Sequence, residues 1–192
     1  MSAVKFFDVE VNATEVRKVE LRLGKQRKQA PTAIMRALNR AAQSARTAAT
    51  KEVRQEYHVR AKDVNKTFRT YKASRKKLAA LVVSRDHKLP LDKFKFSPRT
   101  RPKRPPKGGI KVAVKKDGLK TLAHAFLVNA PGGTMIFQRV GRPRYPIRRL
   151  MGPSVPQMIG AERVRTQFFN KARETYQKRL DHEIRRLLEV SK

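Results

Sequence analysis

Between Lys93 and Ala161 the chain carries sixteen basic residues and a single acid, Asp117. Over the whole sequence forty-seven Lys and Arg stand against fifteen Asp and Glu, a formal charge of +32. An excess of that size opposes compaction by self-repulsion, so the working form calls for an outside source of negative charge. Nucleic acid, an acidic protein surface and an anionic membrane are the three candidates.

Against that repulsion stands enough apolar material to build a core. Apolar residues make up 39% of the 192, and both helical and strand-like spacings recur along the chain. That argues against a wholly disordered basic tail, which lacks the apolar surface to offset ordering entropy. The length suits one α+β domain over residues 1–192. With no cysteine there is no disulfide framework, thiolate metal site or cysteine nucleophile, as expected of a protein made in a reducing cytosol. The N-terminal residues show no apolar run with a cleavage site. Eighteen consecutive apolar residues occur nowhere, so no helix spans a bilayer. Binding at a membrane surface would need an exposed apolar face as well, and since the apolar faces read below are committed to a core, no membrane partner is expected.

Residues 4–11 alternate loosely through Val4, Phe6, Val9 and Val11, the pattern of a short strand or extended arm. A charged helix is expected from about Thr14, as cap, to Arg27, broken at Gln29-Ala30-Pro31-Thr32. From Thr32 to about Tyr57, Ile34, Leu38, Ala41, Ala45, Ala48 and Val53 share one helical face, while Arg36, Arg40, Arg46, Lys51 and Arg54 lie mostly off it. The small residues there permit close approach of another backbone. A further short helix is expected from Asp63 to about Tyr71.

The period then changes. Leu78 to Val83 reads as a buried strand, and Phe94 and Phe96 alternate within a basic segment. Prolines and charge in residues 98–109 rule out regular structure and predict a long extended arm, 93–109. Ile110, Val112 and Val114 alternate, followed by the turn pair Asp117-Gly118. Ala125–Val128 and Met135–Phe137 form a second hairpin around Pro131-Gly132-Gly133, and Tyr145-Pro146-Ile147 reads as an edge element. A long helix from about Gly160 to Val190 carries the stripe Val164, Phe168, Ala172, Tyr176, Leu180, Ile184, Leu187 and Leu188. The expected fold class is therefore α+β: N-terminal helices, a small mainly antiparallel sheet with a long basic arm, and a long C-terminal helix.

Catalytic chemistry is hard to find. His58, His87, His124 and His182 lack metal-ligand spacing and read as surface or partly buried structural residues. Gly108-Gly109 and Gly132-Gly133 match no phosphate-cradling pattern and read as turns. A two-metal nuclease would need acids that the central region lacks. No catalytic residue, metal or cofactor is expected.

The binding candidates are basic. Lys93, Lys95, Arg99, Arg101, Lys103, Arg104 and Lys107 on the arm could track phosphates or order against an acidic protein. Arg139, Arg142, Arg144, Tyr145, Arg148 and Arg149 form a second cluster. Tyr145 there could stack on a base, but its prolines and apolar neighbours predict a packed corner. No signature of sequence-specific readout is present.

An ordered series of segments resembles a known family. Leu89-Pro90-Leu91 through Phe94, Gly109-Ile110-Lys111-Val112, Ala125-Phe126-Leu127, Ile136-Phe137-Gln138-Arg139, Tyr145-Pro146-Ile147 and Gly152-Pro153-Ser154-Val155-Pro156-Gln157-Met158 are similar to the tail protein Z family of tailed bacteriophages. Ala37-Leu38-Asn39-Arg40-Ala41-Ala42 is similar to that family's early helix. The likeness runs from about Thr32 to the closing helix and is less clear over the first thirty residues. It implies an α+β structural protein of the virion, assembled in the host cytoplasm, that completes the tail at its head-proximal end. Further implications are a homohexameric ring and partners among the tail tube, the tail terminator and neck proteins, with non-specific contact to the DNA end. Phe126, Arg139, Pro146 and Pro153 would be fold or interface positions. The competing reading from composition alone is a general nucleic-acid-binding protein of ribosomal or chromatin type.

Overall fold

Two long helices, joined through an alanine-lined face, carry the fold. The computed structural model describes residues 2–104, 106 and 108–190. In chain order, β1 (Ser2–Glu10) leads into α1 (Ala13–Leu23), a 3₁₀ segment (Gly24–Gln29) and α2 (Ala30–Glu56). The cap of α1 is Asn12, whose side chain accepts from the Glu15 amide at 2.8 Å, and not Thr14. The expected break at Gln29–Thr32 is instead a handover from 3₁₀ to α geometry. Pro31 sits in the first turn of α2, where its missing N–H costs nothing.

Much of the buried surface of α2, which packs against a second long helix, is alanine: Ala33, Ala37, Ala41, Ala45 and Ala49 are all buried. The partner is α5 (Glu162–Glu189). Arg36 bonds Glu183 at 3.1 Å and Ser44 bonds Thr175 at 2.9 Å, so residue numbers rise on one helix as they fall on the other and the pair is antiparallel. Methyl-sized side chains are what let these backbones approach closely enough for short Ser and Thr side chains to touch. Val164, Phe168, Ala172 and Ile184 of the expected stripe are buried, while Leu188 is 39% exposed.

β1 pairs antiparallel with β3 (Ala79–Asp86), and β3 with β2 (Phe68–Tyr71). A register shift between Lys5 and Phe7 bulges β1, so Phe6 and Phe7 are both buried despite being adjacent. A regular pleat would have turned one of them to solvent. Phe6 meets Phe168 edge-on at 5.3 Å and Phe68 at 5.1 Å, locking sheet to α5. The helix expected over residues 63–71 is thereby corrected: α3 is short (Ala61–Asn65) and Phe68–Tyr71 is a strand. Val64 and Phe68 are both buried as the spacing suggested, but Phe68 is held by ladder bonds to β3, which four-residue spacing cannot distinguish from a helical turn.

The remaining strands fall into small antiparallel sheets. β4 (Lys88–Pro90) pairs with β11 (Met151–Ser154). β5 (Lys95–Ser97), β6 (Ile110–Ala113) and β7 (Lys120–Leu122) form one sheet. β8 (Ala125–Ala130), β9 (Gly133–Arg139) and β10 (Ile147–Arg149) form another, with β10 at the edge. The α+β class therefore holds, with the strands divided among four sheets. A short helix the periodicity did not reveal, α4 (Val155–Gly160), opens on a capping box between Ser154 and Gln157.

Two of the family-like segments acquire physical reasons. Asn39 bonds both the amide and the carbonyl of Ala73, at 2.8 and 3.0 Å, standing in for a strand partner to the loop after β2. A Cβ on Gly152 would lie 2.7 Å from Cε2 of Phe94 and 3.1 Å from Cδ2 of Leu91, so the approach of β11 to this ring requires glycine.

Candidate functional site

A strongly charged cleft begins where α2 ends. Its chain leaves the helix at Tyr57 and pairs backwards onto the strand end beyond β6. A bridge joins Tyr57 to Lys115, His58 donates its amide to the Val114 carbonyl at 2.9 Å, and Lys116 donates to Glu56 at 2.9 Å. That pairing brings Arg54, His58 and Arg60 beside Lys116. The 3₁₀ turn Leu91–Lys93 and β5 form the facing wall, adding Lys93, Lys95 and Arg99. The cleft is open to solvent and holds about 460 Å³, on a base that includes the buried rings of Tyr57 and Phe94.

Six cations thus face one cleft, and among the described residues lining it the one acid is Asp92. Its charge is already taken: Arg149 of β10 grips both carboxylate oxygens, at 2.9–3.1 Å. The pair is partly buried, so it acts as a pin between the arginine hairpin and the cleft wall. His58 responds to the surroundings. Burial, followed by the charges of Lys95 and Lys116, pushes its pKa below the usual 6.5. At neutral pH the ring is uncharged and offers one donor and one acceptor.

Of the candidates named from sequence, Lys93, Lys95 and Arg99 are thereby brought together. Arg101, Lys103 and Arg104 follow directly, exposed, on the arm; Lys107 lies outside the described residues. The arm is the connection between antiparallel neighbours, since Ser97 pairs with Lys111, so it is one very long hairpin loop. It closes where the Gly109 amide donates to the Pro106 carbonyl at 2.9 Å. Gly109 has φ +68, and a Cβ there would lie 3.2 Å from the Leu122 carbonyl oxygen, so both space and backbone call for glycine.

Arg139, Arg142, Arg144, Tyr145 and Arg148 sit apart from the cleft, on β9, β10 and the turn between them. The turn is organised internally. Arg139 donates to the Arg144 carbonyl at 2.8 Å and stacks over Phe126 at 5.5 Å, while Arg148 donates to Gln138 at 3.0 Å. The packed corner expected around Tyr145 is not what forms: the ring is 64% exposed, with Arg144 over it at 5.8 Å. Prolines at 143 and 146 shape the turn without covering the ring.

Arg54, His58, Arg60 and Lys116 escaped the sequence reading. Arg54 read only as a residue off the apolar face of its helix, and no local spacing could reveal a bridge between residue 57 and residue 115. Among the described residues, no group of three or more His, Asp or Glu could hold a metal ion. No helix there is long and apolar enough to cross a membrane.

The model of the prophage minor tail protein Z family matches residues 17–192, so it takes in α1 from Arg17 onward as well as the segments from Thr32. No curated protein and no solved structure matches the chain. The α+β architecture, the Gly152–Phe94 approach and the Asn39 tether account physically for segments that resembled this family, and the match over nearly the whole chain assigns it: the protein belongs to the prophage minor tail protein Z family, structural components of the phage tail.

Proposed function

We propose that this protein completes the phage tail at its head-proximal end, joining the tail tube or terminator to the head connector. Its role is structural, and its place is in the virion. The observation that carries the reading is the basic arm: a chain of this family extends Arg99 to Arg104 out of a short hairpin, exposed. In a homohexameric ring such an arm reaches the neighbouring subunit or the terminator, and closed rotational symmetry gives every arm the same acceptor. Opposite charge on the acceptor guides encounter and orientation, and apolar packing supplies much of the affinity.

The test is deletion of residues 98–107. Because β5 and β6 are antiparallel neighbours with Ser97 opposite Lys111, the shortened chain connects them through Gly108, Gly109 and Ile110. A three-residue hairpin loop containing glycine is an ordinary connection, so the variant folds. Expected are a native-like circular dichroism spectrum and melting curve, with tails that fail to join heads. Normal yields of infectious particles from the deletion would refute the role of the arm.

A further inference from the structure

The cleft beside α2 holds its cations on a fixed frame, unlike the arm. Arg54 rides on the last turn of α2, Lys116 is held by the backbone pairing to Glu56, and Lys95 lies on β5. These three side chains are exposed, and no described ion pair commits them elsewhere. A cleft of about 460 Å³ with this charge is built to take an anion.

The chain itself cannot supply that anion. Of its fifteen acids, Asp8, Glu56, Asp63, Asp86, Asp92, Glu174, Asp181 and Glu183 are already in ion pairs. The other seven are scattered from Glu10 to Glu189, so a second copy presents no acidic segment to the cleft. What the cleft offers is a row of charges on a solvent-open lining more polar than apolar, with the rings of Tyr57 and Phe94 buried and that of Phe96 half-buried. That favours a ligand bound through charge over one needing an apolar anchor, as a folded protein partner does. The row continues from Arg99 onto Arg101, Lys103 and Arg104, and DNA is the polyanion whose charge continues with it, one per ~1.7 Å of duplex axis.

We propose that the cleft seats the phosphodiester backbone of DNA, with Arg54, Lys95 and Lys116 at phosphate oxygens and Arg99 leading the backbone onto the arm. The assignment rests on the head-proximal reading, where a DNA end is within reach. It carries no base specificity, because every group it uses addresses phosphate. His58, uncharged beside Lys95 and Lys116, serves as a neutral hydrogen-bonding wall.

The experiment is fluorescence anisotropy of a dye-labelled duplex with the full chain, at salt concentrations between about 50 and 200 mM. Two triple variants with equal charge removed are compared: Arg54→Gln/Lys95→Gln/Lys116→Gln in the cleft, and Arg17→Gln/Lys18→Gln/Lys28→Gln on the exposed N-terminal helices. Wild-type binding is expected to fall by orders of magnitude across that range. The cleft triple is expected to reduce the salt slope by roughly 2–3, at about 0.9 for each phosphate no longer neutralised, and the control triple by less than one. Equal reductions in both triples would overturn the site, leaving only net charge. Displacement of the duplex by polyglutamate at equal charge concentration would overturn it in favour of an acidic protein segment. A wild-type chain that ignores the duplex at low salt also overturns it, and leaves tail completion standing, since that reading is scored on particle assembly with the arm deletion.

Discussion

Replacing Glu183 with Gln removes one negative charge from the seam between α2 and α5. The side chain is 1% exposed and its carboxylate meets three guanidiniums: Arg179 at 2.8 Å, Arg186 at 3.0 Å and Arg36 at 3.1 Å. Arg179 and Arg186 come from its own helix and Arg36 from α2, so this acid neutralises like charges that the helix pairing itself crowds together. Breaking a buried pair costs about 3–5 kcal/mol when the survivor stays dry. Here each arginine is 42–44% exposed and recovers water, so the loss falls to about 2–3 kcal/mol. With a urea slope of about 2–3 kcal/mol per molar, the midpoint drops by roughly 1 M.

The same carboxylate predicts the pH dependence. Burial opposes its charge, but the Arg36 hydrogen bond and the Arg179 and Arg186 charges outweigh burial and hold its pKa below the ordinary 4.5. A group depressed in the folded state stabilises above its unfolded pKa, and that stabilisation disappears as pH falls through the folded value. The gap between wild type and Glu183→Gln should therefore be full at pH 7 and narrow steadily below pH 4.5. Urea denaturation at a series of pH values, with an Arg36→Gln cycle at pH 7, measures both effects. A gap unchanged down to acid unfolding, or additive single and double variants, would refute the account.

Three other substitutions probe different parts of the fold. Phe168→Ala empties the ring site that faces Phe6 at 5.3 Å and should cost about 3–5 kcal/mol, lowering the melting temperature by roughly 6–20 °C; a shift under about 3 °C would mean the site collapses or is not core. Gly152→Ala drives a methyl to within 2.7 Å of the Phe94 ring and should cost about 1–3 kcal/mol by calorimetry, where an unchanged transition would show that Phe94 yields freely. The His58 ring should titrate below 6.5 by NMR, and Lys95→Gln or Lys116→Gln should move its midpoint upward; an unmoved midpoint would put those charges elsewhere.

What proved legible in the sequence was whatever a local period encodes. The apolar face of α2 through Ile34, Leu38, Ala41, Ala45 and Val53, most of the α5 stripe, the strand read at Leu78–Val83 and the hairpin around Pro131-Gly132 each depend on neighbours within a few residues, and these formed. Ambiguity set in where one spacing serves two structures, as at Val64 and Phe68, whose four-residue interval fits a helical turn as well as a helix followed by a strand. Phe7 was missed for a related reason, because a bulge is set by the ladder partner and leaves no mark on alternation.

The charge illustrates the division most plainly. Composition alone established the charge excess, and the Lys93–Lys107 run located part of it. Tertiary pairing decided which cations act together: the bridge between Tyr57 and Lys115 brings α2's end to the strand after β6, and Asp92 withdraws Arg149 into an internal pin. Coulomb energy depends on distance in space, and spatial proximity between residues 54, 95 and 116 is a property of backbone hydrogen bonds that their own sequence neighbourhoods do not contain.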